Sequence, residues 1–160
     1  MTEDFKIYID RLKDRHVQKI EEAFHPSFLE VDEEELQFDL PVTVRGEAYL
    51  TDDHLIIHLS AATMAEMPCS VCNKMIKTPL TVGNFYHAEP LCEISEAIYD
   101  FRAALREALL IELPRTVECK STASNKQGSC PSRETLAPFL RAETRSETYF
   151  PFADIDIKKQ

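Results

Sequence analysis

Hydrophobic positions change their period several times along the chain, and each change predicts an element. Phe5, Ile7 and Ile9 alternate with polar neighbours, the period of a strand with one buried face. After Leu12 the step lengthens to three and four residues through Val17, Ile20 and Phe24. That spacing predicts a short helix, stopped at His25-Pro26 because proline cannot continue the helical hydrogen-bond ladder. Residues 30–39 hold six carboxylates in EVDEEELQFD and read as a solvated loop and strand edge, or as an acidic docking surface for a basic partner.

The clearest alternation begins at Leu36. Leu36, Phe38, Leu40, Val42, Val44, Ala48 and Leu50 all occupy even positions, which predicts one long half-buried strand. Gly46 inside it predicts a bend or bulge, and Pro41, with no amide hydrogen to donate, places that point at an edge, a bulge or toward solvent. Thr51-Asp52-Asp53 has turn chemistry, and Leu55, Ile57 and Leu59 resume the alternation on a returning strand, so a hairpin is expected. Beyond EMPCSVCNK, Ile76, Leu80 and Val82 predict a third strand ending near Tyr86, with the cysteine pair at the turn. From Ile94 the period becomes helical again through Ile98, Phe101, Leu105, Ala108 and Leu109, predicting a helix of about five turns over 94–113, closed by Pro114. Periodicity then fades; 136–140 is helix-like, and the chain closes on YFPFADIDIKKQ. The expected architecture is α+β: a mostly antiparallel β-sheet packed against one long helix, with a loop-rich C-terminal third.

Composition narrows the functional classes. In 160 residues there are 28 acidic and 18 basic side chains, a net charge of -10, which speaks against a protein that coats nucleic acid, since phosphate binding is driven by Lys and Arg. The charge is uneven: residues 1–40 carry twelve acids and five bases, whereas residues 114–150 carry six bases and four acids. Those six, Arg115, Lys120, Lys126, Arg133, Arg141 and Arg145, are the candidates for contact with RNA. The start, MTEDFKIYIDRL, has no signal-like apolar run, and the longest purely apolar stretch, 108–111, is far short of the roughly 20 residues of a membrane span. A cytoplasmic protein is expected, one that needs neither a membrane nor a small-molecule substrate. In that compartment thiols stay reduced, so the five cysteines read as metal ligands, redox groups or small buried hydrophobes.

Cys69-x2-Cys72 on a strand-turn-strand corner can aim two thiolates at one tetrahedral zinc, and Cys119 and Cys130 are the candidates for the other two positions. A metal-free cluster of reduced thiols is the competing reading. Redox chemistry of the thioredoxin kind ranks below both, because it needs the Cys-x-x-Cys to open a helix. Cys92 is expected to be a lone buried or semi-exposed thiol, and His54 and His58, about 13 Å apart along an extended chain, to be surface imidazoles. No nucleophile elbow, phosphate-cradling glycine loop or metalloprotease helix is present, so no enzyme is expected.

The order of these motifs resembles the YceD-type proteins, a family linked to accumulation of the large ribosomal RNA, the 23S species, in bacteria and plastids. The resemblance rests on Pro41, Val42, Val44 and Gly46 in PVTVRGEAYL, Cys69 and Cys72 in PCSVC, and DFRAALREALLIELP over 100–114. To these it adds Gly128, Cys130 and Pro131 in GSCP, and Pro151, Phe152 and Ala153 near the end. It implies a single domain over 1–150 with a C-terminal PFADID tail over 151–160. Where fuller members carry Gly-x-Cys-Pro-x-Cys-Gly, Arg133 stands here in place of the last cysteine, leaving Cys119 as the upstream ligand. The implied function is a non-catalytic factor in large-subunit biogenesis whose partner is 23S rRNA or a basic ribosomal protein, with zinc as a structural cofactor. The other expectation is a protein–protein interaction module with a structural zinc site, unrelated to ribosomes, docking partners through Pro151, Phe152 and Ala153.

Overall fold

The computed structural model describes residues 4–119 and 130–133. Lys120, Lys126, Arg141, Arg145, the 136–140 stretch and the tail with Pro151, Phe152 and Ala153 lie outside the described residues.

Most of the described chain is antiparallel β-sheet. Strands β2 (Val17–Phe24), β3 (Val42–Leu50), β4 (His54–Pro68) and β5 (Met75–Pro90) form a four-stranded meander in that order. Strands β1 (Lys6–Tyr8) and β6 (Ile98–Asp100) pair antiparallel as a small second sheet. The helix α1 (Arg102–Ile111) follows β6 directly and lies against β5. Short 3₁₀ turns over Ile9–Arg15, Pro26–Leu29 and Leu91–Glu93 connect the strands.

One face of the meander is apolar, and the core forms there. Val42, Val44, Ala48, Leu55, Ile57, Leu59, Ala61, Leu80, Val82 and Phe85 meet Phe5, Ile7, Leu12, Phe101, Leu105 and Leu109 from the small sheet, the 3₁₀ segments and the helix. Phe5 is the hinge of an aromatic group: it stacks on Phe24 at 3.9 Å and packs against Phe28 and Phe101 at 4.9 and 5.6 Å.

Five expectations are corrected. Residues 17–24 are a strand, paired residue for residue with β3 from Val17↔Tyr49 to Phe24↔Val42. Ile20 and Phe24, four apart, suit one face of a helix and one face of a strand equally, and pairing with β3 decides between them. The second strand begins at Val42 rather than Leu36; Leu36 and Gln37 make only isolated bridges, to Glu33 and Glu66. Gly46 carries no bulge. The ladder runs unbroken through Gly46↔Leu59, and the irregularity lies where Leu59↔Phe85 passes to Ala61↔Val82, leaving Gly83 and Asn84 opposite Ser60. Gly46 is needed for close approach instead, since a Cβ there would stand 2.3 Å from the His58 carbonyl oxygen and 2.4 Å from Leu59 Cα.

The helix, finally, is ten residues long, not five turns. Ile94 and Ile98 mimic a helical stripe, but Ala97 turns left-handed at φ 55° and residues 98–100 are taken by β1. Asp100 Oδ1 then accepts the Arg102 amide at 2.9 Å, supplying an acceptor to a free N–H of the first turn, and Leu105 and Leu109 bury the inner face. The third strand also runs past Tyr86, to Pro90.

Candidate metal centre

Beyond the last residue paired with β3, strands β4 and β5 continue as a two-stranded ribbon, Thr63↔Leu80 out to Pro68↔Met75. Thr63 Oγ1, buried at its root, donates to the Leu40 carbonyl at 3.1 Å. The ribbon ends in the Cys69–Lys74 turn. Cys69 N donates to Lys74 O at 2.8 Å and Asn73 N to Cys69 O at 2.9 Å. Asn73 takes φ 59°, a left-handed conformation that asparagine tolerates better than most residues. That turn brings Cys69 and Cys72 side by side.

The other two cysteines arrive from beyond the helix. After Pro114 the chain runs parallel to the corner, bridging Val117 to Cys69, with Ser70 N donating to Val117 O at 2.8 Å. Cys119 follows, its Sγ 3.1 Å from Cys72 Sγ, and Cys130 Sγ lies 3.8 Å from Cys119 Sγ. The four sulfurs of Cys69, Cys72, Cys119 and Cys130 all lie within 4.8 Å of one another. Cys69 and Cys130 are buried, Cys72 and Cys119 half-buried.

This donor set fits a metal ion. A tetrahedron with metal–sulfur bonds of about 2.3 Å has edges of about 3.8 Å, close to the spacing found here, whereas a disulfide needs about 2.05 Å. The backbone reinforces the thiolate form. Burial pushes the Cys69 thiol up, but the backbone N–H groups of Cys72 and Val71 and the Cys119 side chain outweigh it and bring the pKa to about 6. Cys119 goes the other way, to about 12, because its hydrogen bonds with Cys72 and Cys69, together with burial, favour the protonated thiol. Within the cluster Cys69 is thus the more acidic thiol and Cys119 the less acidic one. The corner opens a strand, so no helix terminus acts on Cys69 as a redox centre of the thioredoxin kind requires.

The remaining candidates separate. Arg115 is exposed. Arg133 is engaged in an ion pair with Glu118, whose second carboxylate oxygen accepts the Cys130 amide at 2.9 Å. Arg133 holds Glu118 below the usual carboxylate range, helped by that amide. Glu118 had no signal in the sequence, being one carboxylate in a turn-rich stretch. Cys92 is exposed, not buried, and sits apart in the 91–93 turn. His54 and His58 are exposed as expected, His58 bonding Asn84 Oδ1 at 2.6 Å. A second polar group was also not anticipated: His87 Nε2 lies 2.7 Å from Tyr99 OH and 3.0 Å from Glu89 Oε2, tying β5 to β6.

Fold and site together define a mostly antiparallel α+β domain with a four-cysteine centre at the end of its longest hairpin. No family model, no curated protein and no solved structure matches the chain. Among the described residues no helix is long and apolar enough to cross a membrane.

Proposed function

We propose that this chain is a non-catalytic factor of large-ribosomal-subunit biogenesis, stabilised by a structural zinc and binding a basic ribosomal protein. Its support is the motif order shared with the YceD-type proteins. The meeting of Cys69, Cys72, Cys119 and Cys130 within 4.8 Å adds that motifs scattered along the sequence serve one centre. Zinc is the metal of choice for four thiolates in closed tetrahedral geometry, and its role there is to hold the ribbon to the chain beyond the helix.

Between the two partners, we take the protein, on the strength of the acidic surface among the described residues. Glu30, Asp32, Glu33, Glu34, Glu35 and Asp39 are exposed, and among the described residues none of them enters an ion pair. Arg133, by contrast, already spends its charge on Glu118. An acidic surface of this kind steers a basic partner by long-range attraction, which salt weakens.

Sedimentation of a cell lysate tests the reading. The protein is expected to travel with large-subunit precursors, and a purified basic ribosomal protein to bind it with affinity that falls with salt and is lost when the six carboxylates are replaced by amides. Absence from precursor fractions, with normal subunit profiles in cells lacking the protein, would leave the module unrelated to ribosomes. Binding to rRNA that survives the amide replacements, together with release of the protein from precursors by RNase, would instead favour the RNA version.

A further inference from the structure

The four cysteines are unevenly supported. Cys69 and Cys72 share a hydrogen-bonded turn with its own left-handed residue, which fixes both side chains before any metal arrives. Cys119 and Cys130 stand apart in sequence, with no second Cys-x-x-Cys between them. Cys130 nevertheless is buried and reaches the other sulfurs. What places it is one carboxylate: Glu118 Oε2 accepts the Cys130 amide at 2.9 Å, and Glu118 Oε1 takes the guanidinium of Arg133. The Arg133 amide closes the circuit by donating to the Cys130 carbonyl at 3.0 Å. Three bonds thus join the residue next to one ligand, the other ligand itself, and the cation three residues beyond it.

We propose that Glu118 and Arg133 are positioning residues, a latch that holds Cys130 beside Cys119, so that Cys130 is delivered to the metal without a second Cys-x-x-Cys motif. This rests on the reading of the cluster as a metal centre. An ordinary exposed ion pair contributes little, because solvent screens it and two long side chains must be ordered. Here the half-buried carboxylate has a second task, satisfying a buried ligand's backbone N–H, and the arginine fixes which oxygen is left for it. Partners that orient ligands in this way change metal affinity by about 10–100-fold when removed.

The test is zinc competition against a chromophoric chelator on the full chain, with folding checked by circular dichroism. Glu118→Ala is expected to weaken zinc binding by about tenfold or more. Glu118→Gln, which keeps an acceptor for the Cys130 amide, should recover much of that loss, and Arg133→Lys should stay near wild type while Arg133→Ala does not. A second readout needs no metal. In the zinc-free protein, alkylation of Cys130 followed by mass spectrometry should run faster in Glu118→Ala than in wild type, while alkylation of Cys69 stays unchanged.

Wild-type protein that takes up no zinc would remove the metal reading, and the alkylation rates would then judge the latch alone. Wild-type protein that binds zinc, with Glu118→Ala binding equally tightly and Cys130 no more reactive, would overturn the latch and leave the metal centre standing. A gain in reactivity spread equally over Cys69 and Cys130 would also overturn it, since that pattern means general loosening and not release of one ligand.

Discussion

Replacing Gly46 by alanine adds a single methyl group between two central strands, and the geometry fixes the outcome. The new Cβ would stand 2.3 Å from the His58 carbonyl oxygen and 2.4 Å from both Leu59 Cα and Cβ, where ordinary contact begins at 3.4 Å. The gap must open by about 1 Å, and the obstructing atoms are mostly backbone, so no side chain can swing away. Strand β4 cannot retreat cheaply either, because it is paired on its far side with β5. Overpacking of this kind costs about 1–3 kcal/mol and occasionally more. Alanine recovers about 0.5–1 kcal/mol by stiffening the unfolded chain relative to glycine. A backbone clash this deep belongs at the upper end of that range, so the net expectation is a loss of about 2 kcal/mol, or roughly 4–8 °C in Tm for a domain of this size. Gly83 is the control: nothing lies within 4 Å of a Cβ built there, and it has no left-handed φ, so Gly83→Ala should be neutral or stabilise by up to about 1 kcal/mol. Urea unfolding followed by circular dichroism reads both, as a shift in midpoint at constant slope. If Gly46→Ala matches wild type, the strands do not approach as closely as described, and the reasoning fails.

Other outcomes follow from the same structure. Zinc should be found at about one equivalent per chain, and Cys130→Ser should lower both zinc content and Tm, since a structural site contributes several kcal/mol or more to folding; a chain with under about a tenth of an equivalent would refute it. Phe5→Ala removes the ring that stacks on Phe24 at 3.9 Å and should cost about 3–5 kcal/mol in chemical denaturation. Thr63→Val leaves the Leu40 carbonyl without its donor and should cost about 1–2 kcal/mol. Tyr99 ionises late: burial, then the charges of Glu89 and Asp100, raise its pKa from 10.0 to about 12. Above pH 10 the unfolded chain gives up this proton while the folded one keeps it, so stability should fall between about pH 10 and 12, and Tyr99→Phe should flatten that part of the profile.

Much of the sheet was legible because core residues alternate along β3 and the returning strand. Leu55, Ile57 and Leu59 have one parity and one environment, and Thr51-Asp52-Asp53 between them and β3 admits little but a turn. Periodicity is ambiguous where a four-residue step satisfies two periods at once. Ile20 with Phe24, and Ile94 with Ile98, suit a helix face and a strand face equally, and only partners distant in sequence, β3 for the first and β1 for the second, decide. The corner with Cys69 and Cys72 was legible because both ligands lie in one turn. Its completion by Cys119 and Cys130 was only a candidate, since Cys119 is brought there by the Val117 bridge, 47 residues beyond Cys72 in the case of the closest sulfur pair. Glu118 could not be read at all, because its role exists only once Cys130 and Arg133 are folded beside it.

The chain order of these closures bears on how the protein is made. Strands β2 to β5 are neighbours in sequence and can zip together as they leave the ribosome, one hairpin after another. Two closures cannot: β1 waits for β6, and the thiols of Cys69 and Cys72 wait for Cys119 and Cys130. A nascent chain stopped before α1 would therefore carry a finished meander, its apolar face open for want of Leu105 and Leu109, and a corner with two of the four cysteines. Closing the four-cysteine cluster is then a late event in synthesis, marking a chain whose helix and second pair of cysteines have both emerged.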